Sequence, residues 1–186
     1  MKEKRIVFMG NSITEGWKNT DPGFFEGRPY IDRGISGQTT PQMLIRFRPD
    51  VIDLKPAIVI ILAGINDIAE NTGPMTLEET AGNIFSMAQL AKAANIKVII
   101  SSVLPANTFP WRPEIKPAEK VIELNILLKQ YCEENRITYL DYYSHMVDDK
   151  KGLDSRYGDD GVHPNLAGYK VMEGLVENAI KSALEK

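Results

Sequence analysis

A serine hydroxyl is a weak nucleophile near neutral pH unless a neighbouring group takes its proton, and the imidazole of histidine is the usual base. The 186-residue chain contains two histidines, His145 and His163. His163 lies in Asp159-Asp160-Gly161-Val162-His163-Pro164. Asp160 stands three residues ahead of it across a glycine-containing turn. That spacing lets the carboxylate fold back onto one ring nitrogen and leave the other facing a serine. A carboxylate so placed fixes the tautomer and stabilises the imidazolium formed as the proton moves. His145 lacks this arrangement, with Asp148 on the wrong side in a polar stretch, and a structural role is expected for it.

The serine that suits this base is Ser12, in Gly10-Asn11-Ser12-Ile13-Thr14-Glu15-Gly16. The segment is not a P-loop, which needs Gly, four residues, then Gly-Lys-Ser/Thr. Its glycines have the wrong spacing for a dinucleotide fingerprint. With Thr at position 14 it is not a Gly-x-Ser-x-Gly elbow either. Acyl transfer also needs donors for the oxyanion that develops on the carbonyl. Two segments offer them: the Asn66 side-chain amide in Gly64-Ile65-Asn66-Asp67, and the backbone N–H of Gly37, where no Cβ blocks a substrate. Each segment alone has a plainer reading. Ser12 suits a helix cap, Asp160-x-x-His163 a turn before a capped helix, Asn66 an Asx cap, and Gly37 a flexible loop.

Placing these residues together falls to the elements around them. Four short apolar runs, Ile6–Met9, Ala57–Ala63, Lys97–Val103 and Thr138–Asp141, alternate with longer helical patterns, and a weaker strand is expected around Tyr30–Asp32. Continuous β-branched runs of this length suit strands buried on both faces of a parallel sheet. Helices are expected over Thr39 to about Leu54, Thr76 to about Ala94, Pro117–Glu134 and Leu166–Leu184. The first has a proline suited to its opening turn and the second a capping-box pattern. The alternation predicts a single α/β domain spanning 1–186, a three-layer α/β/α sandwich with a doubly wound, flavodoxin-like parallel sheet of about five strands. In such sheets ligands bind outside the carboxyl ends of the strands, and all four segments follow predicted strands or close the last loop.

Bulk properties narrow the class. A net charge of −3, without a face rich in Lys and Arg, argues against nucleic acid as a partner. No apolar run reaches the roughly 18 to 20 residues needed to span a bilayer. The single cysteine, Cys132, cannot form an internal disulfide, so the fold does not require an oxidising compartment. A cytoplasmic protein is the plain expectation, although a secreted one whose leader had been removed would look the same. With one usable histidine and scattered acids, neither a metal site nor a cofactor is expected. Oligomeric state is not legible.

The order Gly10-Asn11-Ser12-Ile13-Thr14, Arg33-Gly34-Ile35-Ser36-Gly37, Gly64-Ile65-Asn66-Asp67 and Asp160-Gly161-Val162-His163-Pro164 resembles the four blocks of the SGNH (GDSL-like) hydrolases across nearly the whole chain. The resemblance implies Ser12 as nucleophile, His163 as base and Asp160 as its orienting acid. It implies the N–H groups of Ser12 and Gly37 and the Asn66 side chain as oxyanion donors. One departure stands at Asn11, where the family has Asp; the charge beside the nucleophile is lost while shape and hydrogen bonding are kept. The pattern looks closest to platelet-activating-factor acetylhydrolase-like and acetyl-carbohydrate esterase members. The expected substrate is a short-acyl ester, an acetylated carbohydrate among the candidates, with Asn11, Trp17 and Trp111 as candidate contacts. Lysophospholipase or thioesterase activity, a non-catalytic binding protein and a nucleotide-binding module on the same fold are the alternatives.

Overall fold

A computed structural model describes residues 4–185. Five strands, β1 (Ile6–Gly10), β2 (Tyr30–Gly34), β3 (Ile58–Ile61), β4 (Lys97–Ser101) and β5 (Thr138–Leu140), form one sheet in the order β2-β1-β3-β4-β5. All four pairings are parallel. Every residue of β1 and β3 is buried, as their unbroken apolar sequences require, whereas the edge strand β2 is half-buried throughout. The helices are α1 (Ser12–Thr20), α2 (Thr40–Ile45), α3 (Ile65–Ile68), α4 (Leu77–Ala93), α5 (Ala118–Asn135), α6 (Tyr143–Met146) and α7 (Leu166–Glu185).

Strand order and chain order together dictate the layers. Right-handed crossovers put α1, which leads outward to β2, on one face, and α2, α4 and α5, which lead the other way, on the opposite face. After β5 the chain returns as α7 to lie beside α1, where Tyr169 stacks on Trp17 with ring centroids 5.4 Å apart. The buried apolar side chains form one continuous core. The topology reverses between β1 and β3, which carries the loops after these strands to a crevice at their carboxyl ends. Ser12 opens α1 one residue past the end of β1, and Asn66 lies in α3, shortly after β3.

Two expectations change. The helix expected over Thr39 to about Leu54 stops at Ile45 and is followed by a π-helical turn, Arg48–Ile52. Pro49 explains the break: it has no N–H to donate to the Ile45 carbonyl and its ring clashes with that group. Conversely, the segment from Ser12 is already helical. Asn11 caps α1, its Oδ1 accepting from the Ile13 N–H at 3.1 Å, and Ile13 and Trp17 bury one side.

Candidate active site

The Ser12 hydroxyl lies 3.0 Å from His163 Nε2, and His163 Nδ1 lies 2.6 Å from Asp160 Oδ2. The last link is local. Asp160 Oδ1 accepts the backbone N–H groups of Val162 at 2.8 Å and His163 at 2.7 Å. One carboxylate oxygen therefore closes the turn while the other meets the ring. Burial works against charge on Asp160, but the hydrogen bonds from His163 and Val162 outweigh it and hold the carboxyl below its ordinary value. Both side chains remain open to solvent, 38% exposed for His163 and 43% for Asp160.

Ser12 reaches this rim because α1 settles onto the ends of β1 and β2. The approach requires Gly34: a Cβ there would come within 2.1 Å of the Glu15 nitrogen and 2.7 Å of the Asn11 carbonyl oxygen. Ser12 occupies the first turn of α1, where N–H groups have no partner within the helix. The Ser12 N–H is therefore one of those the helix itself leaves unpaired.

The other two predicted donors come from neighbouring segments. Ile35–Gln38 forms a β-turn closed by the Gln38 N–H on the Ile35 carbonyl at 3.4 Å, with Gly37 at φ +77°. A positive φ at the third position, with Ser36 outside that region, is the type II turn that glycine serves. The Asn66 side chain is 4% exposed and donates from Nδ2 to the Gln38 carbonyl at 2.9 Å. An amide carries two N–H groups, so one remains for a ligand. Asp67 beside it is buried and receives the Thr40 N–H and hydroxyl, the latter at 2.6 Å. Burial pushes its carboxyl up, against the lowering effect of those bonds.

Of the predicted substrate contacts, Trp111 stands at the site. Its ring is 5.9 Å from the His163 ring, it is 44% exposed, and it stacks on the fully buried Phe109 at 5.3 Å. The Trp17 and Asn11 expectations are corrected. Trp17 is 2% exposed, stacked between Phe24 at 4.9 Å and Tyr169, so it anchors α1 to the core. Asn11 is 1% exposed and serves as the helix cap. Both were drawn inward because α1 is a helix with its apolar face on the sheet. His145 lies apart, its Nδ1 bonded to the Asp141 carbonyl and the Ser144 hydroxyl.

Sequence reasoning missed the groups that tie the rim together. Arg46 spans it, donating from Nη2 to the Gly10 carbonyl at 2.8 Å and from Nη1 to the Arg33 carbonyl at 3.0 Å and to Asp50 at 2.7 Å. It thereby satisfies carbonyls at the ends of both β1 and β2. Glu15 Oε2 receives the Ser36 N–H at 3.0 Å and the Ser36 hydroxyl. Apart from the Arg46–Asp50 pair, four residues apart, no local pattern announces these bonds, since the others join residues 13 to 36 positions apart. Among the described residues no group of three or more His, Cys, Asp or Glu side chains could hold a metal. A separate cavity of about 370 Å³ lies below β4 and β5, lined by Lys92, Lys97 and Arg136. Its lysines bond the carbonyls of Asn135 and Ala183 at helix ends.

Known proteins bear on this arrangement. A GDSL-like lipase of Bacteroides thetaiotaomicron is 56% identical, with a TM-score of 0.96 over 98% of this chain and 90% of that one. The acetylxylan esterase Axe2 of Geobacillus stearothermophilus shares the fold at 21% identity, with a TM-score of 0.78 over 95% of this chain and 94% of its own. Esterase TesA of Pseudomonas aeruginosa is 36% identical over 88 residues, 46% of this chain, and the match spans 42% of TesA. The profile of the GDSL-like lipase/acylhydrolase family matches residues 8–171. With its five-stranded parallel sheet and this extent of match, the chain belongs to the GDSL-like lipase/acylhydrolase family.

Proposed function

We propose that the protein is a serine esterase that hydrolyses short-acyl esters, acetyl esters above all, through Ser12, His163 and Asp160. The observation that carries this reading is the continuous chain from Ser12 Oγ through the His163 ring to Asp160, at 3.0 and 2.6 Å. Ser12 attacks the ester carbonyl while His163 Nε2 takes its proton. The charge on the carbonyl oxygen is met by the N–H groups of Ser12 and Gly37 and by the free N–H of Asn66. His163 then protonates the leaving alcohol, and a water molecule repeats the sequence on the acyl-enzyme. Asp160 keeps the proton of the neutral ring on Nδ1, so Nε2 is free to accept.

The exposure of the rim supports a small acyl group. His163 and Asp160 are open to solvent and the turn carrying Gly37 is exposed, so a long acyl chain would lie largely in water. Trp111 offers a flat apolar face beside His163, suited to the ring of a sugar alcohol. A carbohydrate ester matches both features, and Axe2 shows that this fold accommodates an esterase acting on acetylated xylan.

The test is a series of p-nitrophenyl esters from acetyl to dodecanoyl together with acetylated oligosaccharides. The expected result is kcat/KM highest for acetyl and falling with chain length. Trp111→Ala should raise KM for acetylated sugars several-fold and leave p-nitrophenyl acetate within about twofold, since one stacked contact contributes roughly 1 kcal/mol. Rates that rise with acyl length would overturn the short-acyl reading in favour of a lysophospholipase or long-chain thioesterase.

A further inference from the structure

We infer that Glu15 and Asn71 are positioning residues that hold the Gly37 turn at the distance from Ser12 and Asn66 that a shared oxyanion site requires. The inference rests on the esterase reading above and assigns roles to two side chains that reading leaves idle.

The three proposed donors belong to three separate segments, so nothing local fixes their spacing. The Gly37 N–H lies in the central peptide of an exposed turn, and among the described residues, its two chain neighbours apart, none comes within 4 Å of a Cβ built on Gly37. Packing does not hold this turn; hydrogen bonds do. Upstream of the donor, Glu15 receives both the N–H and the hydroxyl of Ser36. Glu15 lies three residues after Ser12 on α1, close to one helical turn, so it links the nucleophile's own helix to the turn. Downstream, Asn71 Nδ2 donates to the Gly37 carbonyl at 3.0 Å while the Asn71 backbone N–H donates to the Asn66 carbonyl at 3.0 Å. One residue thus joins the Gly37 turn to the Asn66 segment. These bonds tether the turn on both sides of the donor peptide, to each of the other donors' segments, and the Asn66 side chain adds its own bond to the Gln38 carbonyl at 2.9 Å.

The division of labour is specific. Gly37, by holding a positive φ, sets which way its peptide faces. Glu15 and Asn71 set where the turn sits. Donors help only when aimed at the place the oxyanion will occupy, and a shift of about 1 Å is enough to cost on the order of 10²-fold. The oxyanion forms after the substrate is bound, so displacement of the turn should act on kcat far more than on KM.

Glu15→Ala, Glu15→Gln and Asn71→Ala are compared with wild type for kcat and KM on p-nitrophenyl acetate, for affinity toward a boronic acid that forms a tetrahedral adduct, and for thermal midpoint. Glu15→Ala and Asn71→Ala should each lower kcat about 10- to 100-fold, bounded by the 10² to 10³ that follows loss of a whole donor. KM should stay within about twofold, and boronate affinity should weaken by the same factor as kcat. Glu15→Gln keeps an oxygen for the Ser36 N–H and should recover most of the rate. It also keeps the test decisive if Glu15→Ala misfolds. If Ser12-dependent turnover is present and all three variants match wild type in kcat, the positioning role is overturned and the esterase reading stands. Loss of kcat that follows a lowered thermal midpoint with no weakening of boronate overturns it as well. A wild-type protein without Ser12-dependent turnover overturns both.

Discussion

Replacing Asp160 by Asn should damage turnover more than replacing it by Ala, although Asn is the closer mimic. The reason lies in how the carboxylate is held. Asp160 Oδ1 receives two backbone N–H groups and Oδ2 faces His163 Nδ1. In Asp160→Asn those two donors retain the amide oxygen at the first position, which turns the amide NH₂ toward the ring. An N–H aimed at Nδ1 forces the ring proton onto Nε2, where it cannot accept from Ser12. Restoring the working tautomer means giving up both backbone bonds, about 2 kcal/mol at roughly 1 kcal/mol each, or ~30-fold. Both variants also lose the charge beside the imidazolium. At a separation of about 4 Å that charge contributes ~1 to ~4 kcal/mol between effective dielectrics of 80 and 20. With both side chains about two-fifths exposed, the lower end of the range, ~1 to ~2 kcal/mol, applies.

Asp160→Ala should therefore lose about 5- to 30-fold in kcat, because water can enter and solvate Nδ1. Asp160→Asn should lose about 10² to 10³, short of the ~10⁴ of an enclosed triad. Steady-state kinetics on an acetyl ester between pH 6 and 9 measure this, with circular dichroism to confirm folding. Equal losses, or Asn the milder of the two, would refute the tautomer argument.

Two further predictions concern stability and reactivity. Burial pushes the Asp32 carboxyl up to about 6, against the lowering effect of the Gly34 N–H, and its Oδ2 is buried with no partner among the described residues. An unfolded Asp titrates near 3.9, so between about pH 4 and 6 the folded state keeps a proton that the unfolded chain has released, and stability falls as pH rises through that window. Asp32→Asn should remove this slope: its thermal midpoint should exceed wild type at pH 8 by more than at pH 4, and a pH-independent gap would contradict the account. Cys132 is 1% exposed and burial pushes its thiol up to about 12, so iodoacetamide at pH 8 should leave it unmodified in the native protein and label it in guanidinium chloride. Native labelling at the denatured rate would refute the burial.

The sheet was legible because β1 and β3 are buried throughout and carry unbroken apolar runs, and β4 is buried past Lys97 with Val98–Ile100 apolar; even the half-buried β2 left a trace in Tyr30-Ile31. Ser12, Gly37 and Asn66 were picked out because they sit just past strand ends, and Asp160 and His163 because their i, i+3 spacing spans a glycine-containing turn before α7. What escaped depended on contacts or on a single disruptive residue. Pro49 broke a helix whose opening cap was plain. The α1 helix was hidden by Gly16 at its centre and by its nine-residue length. The Ile13–Trp17 spacing of four was the signal for that helix, and it would also have placed Trp17 in the core. Arg46, Glu15 and Asn71 carry no local pattern, because their partners are brought together only when the strands pair. Trp111 was recognisable as an aromatic on a proline-stiffened loop, but its place beside His163 belongs to the tertiary structure.

Whether Ser12 is the nucleophile is read from its chemical state during reaction. Wild type and Ser12→Ala are each incubated with a fluorophosphonate and mapped by peptide mass spectrometry, with p-nitrophenyl acetate turnover measured in parallel. One adduct is expected, on Ser12, formed in step with loss of turnover, and neither adduct nor turnover above background in Ser12→Ala. An unmodified Ser12 in an active wild-type protein, or undiminished turnover in Ser12→Ala, would contradict that role.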